Sequence, residues 1–474
     1  MQTGQIAIGR DHPDLVLLQH EARRGICCLV VRGADDAQLR ELAAGAFYIC
    51  RQGECGAVLF SQDCGFEGAA RLEEQLERMN LQGGLSGPFA LAASARGCML
   101  KAQLALQTGE RLAPGRALYR MDEFVEAALL EACACALGEQ GFIAEDFCDA
   151  ALANMRAMDE QKDTRYAESL HAYLRCGMDL KRAAQELGVH RNTLAYRMER
   201  LQAIFGVDLK DVSRCFELLF SLWLSEAMPS ARAAADRPYD RAAAQAALWR
   251  YAERSGAKEK DAPRFSCVLI AAGVQRLADH ERSSLITSLI AKAPPSAAVA
   301  FDESVLFAVC APQDAEAMAA AAQAVCVTAG CPVVATQPFD AQRMAQRAKL
   351  CRMALCTGAG AFTRTRDICS TLLFMAVERC VSLAPYLCED VMRVMDDDAQ
   401  KGTFLSRSLY VYLLYFRDLR RAAQQIGMHR NTMEYHVRKI EALIGSDPDG
   451  SRRFMMMCTY KMLALPEMSE YGAR

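Results

Sequence analysis

GVHRNTLAYRMERL, residues 188–201, runs from a glycine turn into a segment with Leu194, Met198 and Leu201 at helical spacing and a basic leading edge. GMHRNTMEYHVRKI, residues 427–440, says it again. Gly188 and Gly427 stand 239 positions apart in a chain of 474, close to half its length. The match is wider than the motif. Residues 164–206 lie over residues 403–445 without a gap, and DLKRAAQEL (179–187) meets DLRRAAQQI (418–426). An internal repeat follows.

Around the motif the pattern is that of two short helices and a tight turn. Asp179 suits a helix N-cap, and Ala183 and Ala184 are small enough for two helices to meet closely. Gly188 supplies a left-handed turn. A second helix is expected to start near Arg191–Asn192. This is a helix-turn-helix pattern, whose second helix enters the DNA major groove. Its outward face is expected to carry Arg191, Asn192, Thr193, Tyr196, Arg197 and Arg200 in the first copy. The second copy carries Arg430, Asn431, Thr432, Tyr435, His436, Arg438 and Lys439. Arginine bonds bidentately to guanine and asparagine to adenine, and hydroxyls suit phosphate oxygens. Arg182 and Arg421 are expected to join the phosphate contacts.

Local charge agrees. Asp179–Arg214 holds seven Lys/Arg against five Asp/Glu, and Arg417–Arg453 holds eight against five, inside a chain of net charge −3. A polar helix face that is merely solvated would look similar in one copy; the same set kept in a second copy favours a nucleic-acid role. His190 and His429 read as helix-entry residues bonding backbone or phosphate.

Upstream the repeat is fainter. SCVLI (266–270), a helix from His280 to Ala293, a hairpin of SAAVAFD and SVLFAVC, the helix AEAMAAAAQAVCVTAG and the strand PVVAT give the order βαββαβ, the split βαβ arrangement of ferredoxin-like sheets. The first copy, from ICCLVV onward, follows a similar order. LALQTG (104–109) and MALCTG (353–358) each read as the glycine-capped end of a helix, and apolar helices are expected to begin near Val125 and Cys369. Residues 228–264, charged and alanine-rich with Pro229, Pro238 and Pro263, read as a linker with a helical middle.

The motif from Tyr173-Leu174 through Ala183-Ala184 and Leu-Gly-Val-His-Arg-Asn-Thr-Leu-x-Tyr-Arg into FGVDLKD (205–211) resembles the C-terminal helix-turn-helix of the PucR/CdaR transcriptional regulators. In that family the domain often follows a degenerate GGDEF-like domain, which the upstream portions resemble more loosely. The resemblance implies a tandem α+β fold. Residues 1–140 and 265–378 would be GGDEF-like regulatory modules, 141–227 and 379–474 all-helical helix-turn-helix modules, and 228–264 the linker. The second copy departs from the pattern. It has His436 for Arg197, Glu434 for Ala195 and GSDPDGS for the GVDLKD continuation. A groove-facing carboxylate repels phosphate or selects a cytosine amino group, so the second unit either reads a different half-site or serves mainly in pairing.

Other chemistries lack their residues. The hairpin positions read RQGECG and AFDESV, without the Gly-Gly-Asp/Glu-Glu-Phe and carboxylates of a cyclase. TGAGAF (357–362) follows a helix rather than opening one, so a C-cap outweighs phosphate binding. Among 21 cysteines the nearest zinc spacing is Cys326-x4-Cys331 with Cys351-x4-Cys356, in apolar patterns where a thiol acts as a small hydrophobe. The start, MQTGQIAIGRDHPDL, has no signal-peptide pattern and no window is apolar enough to span a bilayer.

The expectation is therefore a cytoplasmic, non-enzymatic regulator without cofactor or metal, binding double-stranded DNA as a homodimer or higher homo-oligomer. A small-molecule effector of unknown identity is possible in the α/β modules, and no membrane is involved. The competing reading is a ligand-sensing or protein-interaction scaffold whose helix-turn-helix units mediate pairing.

Overall fold

The computed structural model describes residues 26–44, 46, 48–52, 54–61, 69–87, 95–228, 239–252, 265–302, 304–358, 360–445 and 450–465. The chain divides into two compact units that do not follow its linear order. One joins residues 1–133 to 381–463; the other joins 134–380 to 464–474.

In the first unit, β1 (Ile26–Arg32), α1 (Asp36–Leu42), β2 (Tyr48–Gln52), β3 (Cys55–Ser61), α2 (Ala69–Met79) and β4 (Gln82–Leu85) are followed by α3 (Ala95–Leu112), β5 (Leu118–Arg120) and α4 (Met121–Gln140), the last running on past residue 133. The strand order is β2-β3-β1-β4-β5, with antiparallel neighbours except the parallel pair β4–β5. Alternation along β1 sorts its side chains. Cys27, Leu29 and Val31 pack with Leu39 and Leu42 of α1 and Leu72 and Leu76 of α2. Cys28 and Val30 pack on the opposite face with Met99, Ala102 and Leu106 of α3.

The second unit holds the matching sheet: β6 (Ser266–Gly273), α11 (Asp279–Lys292), β7 (Ala298–Asp302), β8 (Val305–Cys310), α12 (Ala315–Ala322), β9 (Val333–Ala335), β10 (Phe339–Asp340), α13 (Met344–Cys356), β11 (Phe362–Arg364) and α14 (Cys369–Glu378). Its order, β11-β9-β6-β8-β7, is that of the first sheet, with β10 pairing β6. The expected βαββαβ order is present in both, and both have the split βαβ connectivity. One detail is shared by the two sheets. The Ser86 hydroxyl accepts from Cys28 N at 3.0 Å, and the Thr336 hydroxyl accepts from Leu269 N at 2.9 Å. Each secures the backbone just past its strand.

Three readings change. Gly109 does not end a helix; it lies inside α3, where a Cβ would run into the Tyr119 ring. Thr357 and Gly358, the latter at φ +60°, do end α13 as expected. The apolar helix placed near Val125 starts at Met121, because Asp122 and Glu123 suit a helix's first turn. Within 228–264, residues 229–238 and 253–264 lie outside the described residues, and the helical middle is α10 (Arg241–Ala252). That helix is no mere spacer, since Ala244, Ala247 and Leu248 are buried and the Tyr239 hydroxyl donates to Ser296 O at 2.9 Å.

The thiols sort into cores. Cys326 and Cys331 belong to the cluster around α11 and α12, and Cys351 is buried on α13. Burial pushes the Cys326 and Cys351 thiols up to about 12.

Adjacent strand glycines give a contrast in packing. A Cβ at Gly84 would collide with the α3 backbone at Ala102 O and Leu106 N, whereas one at Gly83 would sit 3.0 Å from the movable methyls of Leu29 and Leu76. Gly84→Ala is expected to lower stability in urea unfolding by about 1–3 kcal/mol, with Gly83→Ala costing clearly less. Equal costs would show that the helix is free to move away from the strand.

Candidate nucleic-acid interface

Each helical module builds its exposed face by the same steps. In the first, α5 (Ala150–Lys162), α6 (Tyr166–Arg175), α7 (Leu180–Glu186), α8 (Arg191–Phe205) and α9 (Val212–Ala227) follow in order. In the second, α15 (Glu389–Lys401), α16 (Leu405–Leu414), α17 (Leu419–Gln425), α18 (Arg430–Ile444) and α19 (Gly450–Leu463) do the same.

The local rules operate as read. The Asp179 carboxylate accepts from Lys181 N and Arg182 N at 2.8 and 3.1 Å, and Asp418 accepts from Arg420 N and Arg421 N at 3.0 Å each. The turn glycines adopt φ +64° at Gly188 and +68° at Gly427. His190 and His429 are N-caps, their Nδ1 atoms accepting from Asn192 N and Asn431 N at 3.2 Å. Ala183, Ala184, Leu194, Met198 and Leu201 are buried, as are Ala422, Ala423, Met433, Val437 and Ile440. This packing settles which way the opposite face points.

Outward stand Arg191, Asn192, Thr193, Tyr196 and Arg200, and in the second module Arg430, Asn431, Thr432, Tyr435, Arg438 and Lys439. Tyr196 and Tyr435, 60% and 55% exposed, are unusually open for tyrosines in well-packed modules. Arg197 and His436 do not belong to this outward set, a correction to the expectation. Both are half-buried and turn onto an earlier helix of their module, α6 for Arg197 and α16 for His436. Arg197 Nη1 donates to Ser169 Oγ at 3.0 Å, and His436 Nδ1 lies 2.7 Å from Ser408 Oγ. They sit on the turn of the helix between its buried and open faces, so outward spacing alone misplaced them.

The two faces differ in charge. Arg438 pairs with Glu434 at 2.7 Å, one helical turn away, and Lys439 lies 4.9 Å from the Tyr435 ring centroid. At these positions the first module has Glu199, Ala195 and Arg200. Glu434 thus faces a guanidinium of its own helix, which blunts both its repulsion of phosphate and the reach of Arg438. The first face keeps Arg191 and Arg200 without an acidic partner among the described residues.

One pair of residues was missed. Asp159, on α5, accepts from Tyr166 N at 2.7 Å, Ala167 N at 2.9 Å and the Thr164 hydroxyl at 2.6 Å. Asp398, 239 positions later, accepts from Leu405 N, Ser406 N and the Thr403 hydroxyl at 2.6–2.7 Å. Each carboxylate caps the helix after its own, fixing the angle at which α6 or α16 enters. Running the 239-residue register five positions upstream would have found them.

These two segments match the family model of the PucR C-terminal helix-turn-helix domain, at residues 166–224 and 405–458. Both are PucR-type helix-turn-helix domains. A 73-residue stretch of the chain is 34% identical to the proline-responsive transcriptional activator PutR of Bacillus subtilis (strain 168), covering 15% of this chain. It spans only 18% of that relative's length. The crystal structure of a regulator of polyketide synthase expression from Bifidobacterium adolescentis shares 12% identity over 48% of this chain and 94% of its own. Its TM-score is 0.23, too low to speak for a shared fold. No helix among the described residues is long and apolar enough to cross a membrane.

The Asp398 carboxyl is held below its usual 3.8; burial raises it, but the hydrogen bonds from Thr403, Ser406 and Leu405 outweigh that. A depressed carboxylate stabilises the fold above its unfolded pKa, and that contribution is lost as pH falls through the lower folded value. Asp398→Ala is expected to cost about 0.5–2 kcal/mol at neutral pH, the range of a lost helix cap. In urea titrations the gap to the parent protein should close below pH 3.8. A gap independent of pH would mean that the carboxylate's charge is not what caps α16.

Proposed function

We propose that the protein is a cytoplasmic, non-enzymatic transcriptional regulator that binds double-stranded DNA through its PucR-type domains. The observation that carries this is the repeated open face of arginine, asparagine, threonine and tyrosine at the N-terminal half of α8 and α18. Those side chains have no packing role, and they stand where a recognition helix meets base edges. Arg191 and Asn192 would read bases; Thr193, Tyr196, Arg200 and Arg182 would meet phosphates. Arg430, Asn431, Thr432, Tyr435 and Lys439 would act likewise, with Arg438 engaged by Glu434 rather than by DNA.

In this reading the α/β modules are degenerate GGDEF-like sensors, the halves arose by duplication, and a small molecule adjusts DNA binding in a homo-oligomer. The proline responsiveness of PutR supports an effector of that size. The reading of the second helix-turn-helix as a pairing surface is favoured by one observation, the Glu434–Arg438 pair on its exposed face.

Selection of bound sites from random DNA, followed by anisotropy titrations over a salt series, tests the reading. Asn192→Ala is expected to cost about 1–3 kcal/mol at one base position and to relax preference there. Arg200→Ala should weaken binding to all sequences and lower the salt slope by about one. Lys439→Ala should do less than Arg200→Ala. Binding without salt dependence, or indifferent to all three changes, would leave the pairing-scaffold reading in place.

A further inference from the structure

Each compact unit joins a sheet from one half of the chain to the helical module of the other half. The buried polar groups at the two junctions are not interchangeable. LALQTG and MALCTG set the register between α3 and α13, so Lys101 corresponds to Leu350 and Cys98 to Arg347. The 239-residue offset sets the helical modules, so Glu389 corresponds to Ala150 and Pro385 to Asp146.

In the first unit Lys101, 1% exposed, lies 3.7 Å from Glu389 and donates to Leu387 O at 3.1 Å. Gly87 leaves the room that the Glu389 carboxylate occupies, since a Cβ there would strike it. In the second unit the carbonyl corresponding to Leu387 is that of Cys148, and it accepts from Gln337 Nε2 at 2.9 Å. Gln337 Oε1 takes the Ala150 N–H at 2.5 Å. Asp146, its side chain fully buried, pairs with Arg343 and with Arg347 at 3.3 Å, and Arg347 also donates to Asp146 O at 3.1 Å.

Consider the opposite pairing, each sheet with the helical module of its own half. Lys101 would face Ala150, and Asp146 would face Cys98. Arg347 would face Pro385, and Glu389 would meet Leu350 and contend with Gln337 for one space. Buried charges without partners are strongly destabilising, and such mismatches are how an interface rejects a wrong partner. Burial, helped by the Asp122 and Asp390 carboxylates, pushes the Glu389 carboxyl up to about 7 against the nearby Lys101 ammonium.

We propose that the two halves of this chain are obligate reciprocal partners. The first sheet accepts only the second helical module and the second sheet only the first, with Lys101–Glu389 and Asp146–Arg343/Arg347 as the determinants. The partner that this surface fits is the other half of the same polypeptide, so the chain behaves as two interlocked half-chains. The proposal is independent of DNA binding.

The test keeps the full chain and introduces a protease recognition sequence after Asp236, outside the described residues. After complete cleavage the two fragments are expected to co-elute at the mass of the uncut protein. Glu389→Lys should raise their dissociation constant by about a hundredfold. The double reversal Lys101→Glu with Glu389→Lys should recover most of that loss. Should Glu389→Lys fail to fold, Glu389→Gln in the cleaved protein should weaken association about tenfold and leave the intact chain folded. Fragments that part on cleavage overturn the proposal. So does a double reversal no tighter than the single one, or Glu389→Gln without effect.

Discussion

The close approach of two short helices at a pair of alanines governs everything the helical modules can present. Ala183 and Ala184, and Ala422 and Ala423, leave room for α8 and α18 to bury Leu194 or Met433 and their neighbours. Once that face is inside, the helix has no freedom to choose its outside. Arginine, asparagine, threonine and tyrosine are turned outward by the packing of the opposite face. Ser169–Arg197 and Ser408–His436 then lock the rotation with one polar tie each.

The same economy of small side chains recurs in the sheets. Gly84 lets α3 lie directly on its strand, and Gly109 admits the Tyr119 ring. Gly87 admits the carboxylate of Glu389, 302 residues further along the chain. In the second unit a glutamine fills the corresponding place and makes both hydrogen bonds that the junction requires. Two solutions to one packing problem, with charges that do not transfer, give each junction its own identity.

Much was legible from residue order. Helix starts at Asp179 and Asp418, left-handed turns at Gly188 and Gly427, the β7–β8 hairpin and the βαββαβ order rest on local chemistry, and the structure has them all. Asp159 and Asp398 went unread because their hydrogen bonds cross from one helix to the next, leaving no periodic signature. Arg197 and His436 were misread because the boundary between faces of a helix is set by what packs beside it, and an arginine there looks outward in any periodic reading.

Sequence alone determined the elements, their order in each half and the residue types on the open helical faces, because those follow from side-chain spacing and backbone preference within a few residues. Tertiary structure alone decided which sheet pairs with which helical module, and that the serine ties remove Arg197 and His436 from the open face. The physical reason is desolvation. A lysine such as Lys101 reads as a surface residue until the fold buries it, and only then does the position of its carboxylate partner become decisive.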